Sequence, residues 1–362
     1  MSRSDTSPSD TSPSDSSRSD SSPSGGDAGF AVVVPVHDGA AFVAETVRSV
    51  MEQSHPPDQV IVVDDGSRDG SAQVVRDRFP EVTVIESPNR GRSAARNLGL
   101  AHARADWVCF CDHDDLWHRD KLARTRAYLD EHPDCRAVRH PMWYFSATDD
   151  ARPAFGFRRD FVAADLDACH AQAERHPTTV NDFSYLETHG RDLEVMFERT
   201  VGFTSATVID RRLAIHAGGF PVYAAGGEDW LFFLQVARLA AWHTLDEPLG
   251  FARFHPHQGT NDSGAARGVL AVKVAAWYAG RPFPERRDPA EVTAALATYG
   301  RAYAVEVGAH LGADLARGDH RSARVDGRLA GLLLPRWSDR ARALGIAGRA
   351  ALREVARRGG AR

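Results

Sequence analysis

The chain has 362 residues, 43% of them hydrophobic and 26% charged, enough to bury the core of one large domain or two. Its formal net charge of −5 provides no global basic field, which argues against bulk nucleic-acid binding. The four cysteines make no disulfide scaffold in so long a chain, and Cys109-x-Cys111 lacks the second pair that would complete a zinc site. Lying inside an apolar run, that pair reads as part of a buried strand in a reducing compartment.

The first 27 residues are a Ser/Asp/Pro repeat with almost no apolar side chain. Such a segment cannot offset its ordering entropy, so residues 1–28 are expected to be a disordered tail. The repeat has no apolar core of the kind a secretory signal carries, and no run approaches the roughly 20 apolar residues of a membrane span. The expectation is a soluble cytoplasmic protein, at most peripheral at a membrane surface.

From residue 29 the pattern changes. Residues 30–36 (FAVVVPV) form a continuous apolar run, the signature of a parallel strand buried on both faces. A helix is expected over 40–53, a second strand over 59–67 ending on acids, and a helix over 69–79 with Asp69 or Ser71 near its cap. A third strand follows at 82–87, a helix at 91–103 and a fourth strand at 106–111. Alternation of this kind predicts an α/β fold with a mostly parallel sheet and right-handed crossovers. Ligands of such sheets bind beyond the carboxyl ends of the strands. Here those ends carry PVHDG, DDGS, SPNRG and DHDD.

Neither G-x-G-x-x-G nor G-x-x-x-x-G-K-[ST] follows the first strand, so no loop cradles a phosphate with backbone amides alone. A divalent cation on carboxylates can hold a phosphate instead. Asp112 and Asp114, two apart at a strand end, can point the same way and share one, which relieves their repulsion and attracts a diphosphate. Oxygen ligands favour Mg²⁺ or Mn²⁺ over Zn²⁺. Asp115 reads as a helix cap before LWHRDKL.

VVVPVHDGAAFVAETVRSVMEQS, VIVVDDGSRDGS, ESPNRGRSAARNLGL and VCFCDHDDLWHRDKL stand in order, and together they closely resemble the nucleotide-binding half of the family 2 glycosyltransferases. The resemblance covers residues 30–125 and resumes at 202–220 and 226–239. It implies the GT-A fold: a Rossmann-like, mostly parallel central sheet flanked by helices. It further implies an inverting transfer of a sugar from a nucleotide-diphosphate donor, UDP-linked, to an acceptor hydroxyl, with Mn²⁺ or Mg²⁺ as cofactor. Residue by residue, Pro35, Val36 and His37 would line the base, where the family often has an aromatic in place of His37. Asp65 would accept a hydrogen bond from the base; an Asx turn is its other reading. Asn89, Arg90 and Arg96 would contact the nucleotide or its phosphates. Asp112 would reach the ribose or a metal-bound water, His113 would lie close to the ribose, and Asp114 would bind the metal.

Transfer to a hydroxyl requires a base for its proton. Glu228 and Asp229 precede an apolar helical run, and two acids there also suit a helix macrodipole. In the family this position carries the base, and Asp229 matches it; Glu228 would support it or touch the acceptor. Arg253, His255 and His257 cluster at and just beyond the end of a strand-like segment at 243–254. Many relatives have R-x-H here, and His255 fits the spacing, as a metal ligand or a diphosphate contact.

Residues 140–200 hold no motif and are where acceptor specificity is expected to sit, the acceptor being a lipid-linked glycan, a protein or a small natural product. Beyond 265 the chain turns Ala/Arg/Leu-rich and helical, ending in a basic amphipathic helix expected to pack on the protein or on a second copy of it, as in a homodimer. The expected organisation is a nucleotide-sugar half over 29–135, an acceptor and catalytic half over 136–264 and a helical C-terminal region over 265–362. Among rivals, a sugar-nucleotide pyrophosphorylase would open with a Gly-rich loop carrying a basic pair. A non-catalytic sugar-nucleotide-binding protein would need neither Asp229 nor the D-x-D. A processive synthase would add membrane spans and a Q-x-x-R-W signature.

Overall fold

The computed structural model describes residues 29–149, 158–181, 202–222 and 227–255, together with Gln258 and helical pieces at 311–312, 315 and 341–349. The first half follows the predicted alternation: β1 (Phe30–Val36), α1 (Val43–Met51), β2 (Gln59–Asp64), α2 (Ser71–Arg78), β3 (Thr83–Glu86), α3 (Arg92–His102) and β4 (Trp107–Phe110). Next come β5 (Leu116–Trp117), α4 (Lys121–Glu131), β6 (Ala137–Arg139), β7 (Trp143–Ser146), β8 (Phe161–Val162) and α5 (Leu166–Arg175). A 3₁₀ turn at Thr204–Ala206 leads into β9 (Thr207–Asp210), followed by α6 (Arg211–His216), α7 (Glu228–Leu239), β10 (His243–Thr244) and β11 (Gly250–Arg253).

The main sheet has the order β10-β6-β9-β4-β1-β2-β3, and only β9 runs against its neighbours. β1 lies between β2 and β4, both parallel to it. This central place explains its unbroken apolar run. Ala31 and Val33 point into one core layer with Ala95 and Leu100 of α3 and Phe232 and Phe233 of α7. Phe30, Val32 and Val34 point into the opposite layer with Val43, Val47 and Val50 of α1. α3 lies so close to β1 that a Cβ on Gly99 would sit 2.2 Å from Val33 Cγ1.

Cys109 and Cys111 belong to the α1 layer as free, fully buried thiols, and burial pushes Cys109 up to about 12. They pack as small hydrophobes, as the buried-strand reading expects.

Three sequence expectations change. Asp115 caps no helix: Leu116 and Trp117 are a strand, and α4 begins only at Lys121. The segment 243–254 is two strands in different sheets, β10 on the edge of the main sheet and β11 in a second sheet of order β5-β11-β7-β8. The expected boundary at 135–136 falls within a continuous sheet, because β4 pairs with β9 and β9 with β6. The expected disordered tail, His257, residues 182–201 and most of the C-terminal region lie outside the described residues. No helix among the described residues is long and apolar enough to cross a membrane.

Candidate active site

The carboxyl ends of β1, β2 and β4 gather most of the predicted residues at one edge of the sheet. Pro35 and Val36 are themselves part of β1 and buried, so only His37 of that trio reaches the surface. Its Nδ1 lies 3.0 Å from the Asp65 carbonyl and its Nε2 3.1 Å from Asn89 Nδ2. One neutral tautomer satisfies both: Nδ1–H donates to the carbonyl and Nε2 accepts from the amide. His37 and Asn89 thus meet directly, although 52 residues apart.

Asp65 spends its carboxylate on the loop that carries Asn89. It accepts from the amides of Arg90 (2.9 Å) and Gly91 (2.7 Å) and from Ser87 Oγ (3.2 Å). The Asx turn belongs to Asp64, which accepts from the Ser67 amide at 2.7 Å. Gly66 between them has φ +79°, and a Cβ there would lie 2.8 Å from the Asn89 nitrogen, so the turn and the Asn89 loop close on each other only with glycine. His113 packs on the first loop in the same way, its Cδ2 standing 2.2 Å from where a Gly39 Cβ would be.

The crowded acids of 112–115 part company. Asp112 accepts from Arg96 Nη2 at 2.6 Å, Asp114 meets His255 Nε2 at 3.0 Å, and Asp115 accepts from Ser205 Oγ at 2.6 Å. The protein's own cations and donors therefore relieve much of the repulsion that the sequence reading assigned to a metal alone. Burial opposes ionisation of Asp114, but the His255 bond and the nearby His113 bring its pKa below the ordinary value. Asp115, held among Asp112 and Asp114 without a cation on it, is raised well above the ordinary value, chiefly by burial.

Arg96 does the most to assemble the site. Its side chain is 3% exposed, stands 4.9 Å from the centre of the Phe220 ring, and bridges Asp112 to Glu228, whose Oε1 it meets at 3.0 Å. Burial alone would lower its pKa; Asp112 and Glu228 raise it overall. Arg96 is thus a buried bridge rather than a helix-surface residue. Glu228, 4% exposed, also faces the more exposed Arg92 at 3.5 Å.

Asp229 differs from its neighbour. Among the described residues its one hydrogen bond comes from the Trp230 amide at 2.8 Å. Burial first, and then the charge of Glu228, raise its pKa to about 6. Gly227, at φ +67°, turns the chain into α7 so that Glu228 and Asp229 occupy its first turn. The macrodipole reading therefore holds as well; it does not compete with a role for the carboxylates.

His255 lies against Phe42 with ring centres 4.6 Å apart, and Asp114 and His255 are 19% and 11% exposed. The Asp114 carboxylate suits Mn²⁺ or Mg²⁺, and an added imidazole nitrogen favours Mn²⁺ of the two, whereas one oxygen of Asp112 is engaged by Arg96. Among the described residues no three His, Cys, Asp or Glu side chains converge as a ready-made metal cage. Sequence reading missed the role of Arg253. Its Nε donates to the Asp114 carbonyl (3.0 Å) and its Nη2 to Glu45 (2.6 Å), with its guanidinium 4.7 Å from the Phe145 ring centre. Glu45 in turn accepts from the Leu166 amide at 2.7 Å, which ties α1 to α5. The visible signal was its place next but one to His255.

Residues 31–188 match the sequence model of glycosyl transferase family 2, which bears out the resemblance carried by the four motifs. A putative teichuronic acid biosynthesis glycosyltransferase, TuaG of Bacillus subtilis (strain 168), is 35% identical over 106 residues, covering 28% of this chain and 42% of its own length. The amylovoran biosynthesis glycosyltransferase AmsB of Erwinia amylovora is 34% identical over 110 residues, 29% of this chain and 36% of that protein. The chain thus spans less than half the length of either relative. The crystal structure of S. aureus TarS (residues 1–349) in complex with UDP-GlcNAc superposes with a TM-score of 0.56 at 18% identity, covering 91% of this chain and 92% of that one. The fold is that of the GT-A glycosyltransferases.

Proposed function

We propose, from the premise that residues 31–188 place the chain among the family 2 glycosyltransferases, that it is an inverting enzyme moving a sugar from a UDP-linked donor to an acceptor hydroxyl. The carrying observation is the Arg96 bridge: one guanidinium holds Asp112, at the end of β4, and Glu228, at the start of α7, so that the donor-side acid and the candidate base share one pocket edge. The UDP and UDP-GlcNAc complexes of TarS support a uridine nucleotide on this fold.

The residues divide the work. His37, Asn89 and Arg90 face the nucleotide, with Asp65 holding their loop in place. Asp114 and His255 would hold Mn²⁺ or Mg²⁺, which would supply charge for the departing diphosphate. Asp229 takes the acceptor proton; its carboxylate has few partners to release and a pKa raised toward neutrality, both of which suit a general base. Glu228 serves through Arg96 and Asp229 rather than on the acceptor.

Incubation with a panel of sugar nucleotides and Mn²⁺ tests this by slow donor hydrolysis. Asp229→Asn should lower turnover by roughly 10²–10⁴-fold, the usual worth of a positioned base, with donor affinity little changed. Loss of donor binding in calorimetry would remove Asp229 from that role. Asp114→Ala should abolish transfer without unfolding the chain, and EDTA should silence the wild type until Mn²⁺ or Mg²⁺ is returned. Full activity in chelator would dismiss the metal.

A further inference from the structure

The acid loop is anchored from behind by a residue to which the sequence reading gave no role. Ser205 is fully buried within the 3₁₀ turn before β9. Its hydroxyl accepts from the Asp112 amide at 3.0 Å and donates to Asp115 Oδ2 at 2.6 Å. Its carbonyl accepts from Lys121 Nζ at 2.6 Å and from Trp117 Nε1 at 3.0 Å. The other Asp115 oxygen accepts from the Arg253 amide at 3.3 Å. Lys121 is fully buried too, its ammonium 3.8 Å from the centre of the Trp117 ring.

A buried ammonium whose hydrogen bond ends on a carbonyl is costly to maintain. Here it does one visible thing: with Trp117 it fixes the main chain of Ser205. The hydroxyl then projects from a fixed point and takes hold of the acid loop at both ends, at the amide of Asp112 and the carboxylate of Asp115. Asp114 lies between those two grips. Through Asp115 the same serine also reaches the start of the segment that carries His255.

We propose that Ser205 is a positioning residue for the donor-side acids, with Asp115 its anchor and not a ligand. This rests on the reading of Asp112 and Asp114 as the donor and metal acids. A displacement of about 1 Å in such groups is worth on the order of 10²-fold in rate or binding. The turn itself does not depend on the hydroxyl, because its carbonyl bonds come from Lys121 and Trp117, so Ser205→Ala retains the fold.

The test uses the full chain as wild type, Ser205→Ala, Asp115→Ala and the double variant. Amide hydrogen exchange over residues 110–117 and 250–255 is followed without ligand, and UDP and GDP affinities are measured by calorimetry with Mn²⁺. The expected result is faster exchange in both segments in each single variant. UDP–Mn²⁺ binding should weaken at least tenfold, and the double variant should bind no worse than the weaker single, because both remove one link. Unchanged exchange in Ser205→Ala overturns the proposal. So does faster exchange with unchanged nucleotide affinity, which would make the network merely structural, and so does additive loss in the double. If the wild type binds neither nucleotide, the donor reading fails and takes this role with it, while the exchange data still report whether the anchor exists.

Discussion

Asp229 and Glu228 are adjacent carboxylates whose surroundings send them to different work. Glu228 is nearly inaccessible and ion-paired with Arg96; Asp229 forms no ion pair among the described residues and is raised to about 6 by burial and by Glu228, against the pull of Arg96. A base must be ionised to accept a proton, so activity should fall as pH drops through about 6, well above the ordinary carboxylate range. Removing the Glu228 charge removes one cause of the rise. Glu228→Gln should therefore shift the acidic limb of the kcat profile toward lower pH, and a limb that stays in place would exclude Asp229 as the group it reports. The sequence displayed these acids and the D-x-D plainly, because charged clusters at strand ends are legible. Their pairings were not. Nothing in local spacing shows that Asp112 turns to Arg96, or that Arg96 reaches a glutamate 132 residues away.

Among the elements, those buried on both faces or carrying a clear helical period were readable, from β1 through β4 with α1 to α3 between them. The second sheet was not. β5 and β8 have two residues each, too few to show any alternation, and β11 was legible only as the end of one strand-like segment shared with β10, its sheet being set by its partners β5 and β7. Close packing between elements was likewise hidden in one residue type. Gly99, inside the expected helix, is the point at which α3 touches β1. A methyl there would collide with Val33, a stiff β-branched side chain at the middle of the sheet. Gly99→Ala should destabilise by about 1–3 kcal/mol despite its better helix propensity, as overpacking does. Adding Val33→Ala should recover part of that loss, so that the double variant is more stable than the sum of the singles. Equal or higher stability of Gly99→Ala in denaturant titration would refute the contact.

At the scale of the molecule, one sheet joins the two expected halves, since β1 pairs with β4 and β4 with β9. In the C-terminal region the apolar face is expected from the sequence to include Leu344, Ile346 and Ala347. The helix at 341–349 buries Ala347, together with Ala343, each 2% exposed, and turns Leu344 outward at 59%. Ala347 lies in a small apolar cluster with Leu311. Contact through alanine buries little apolar area, so its stabilisation should be modest. Removal from Ser338 onward should lower the melting temperature by about 2–4 °C, the shift expected for roughly 1 kcal/mol in a chain of this size. The outward Leu344, beside the exposed Arg342 and Arg349, has the character of a membrane-docking face instead. Sedimentation with anionic vesicles at low and high salt separates the two, because attraction between surface charges weakens as salt screens it. We expect no salt-sensitive binding. Salt-sensitive binding by the full chain, with melting unchanged after truncation, would assign the helix to the membrane and the acceptor to a lipid-linked glycan.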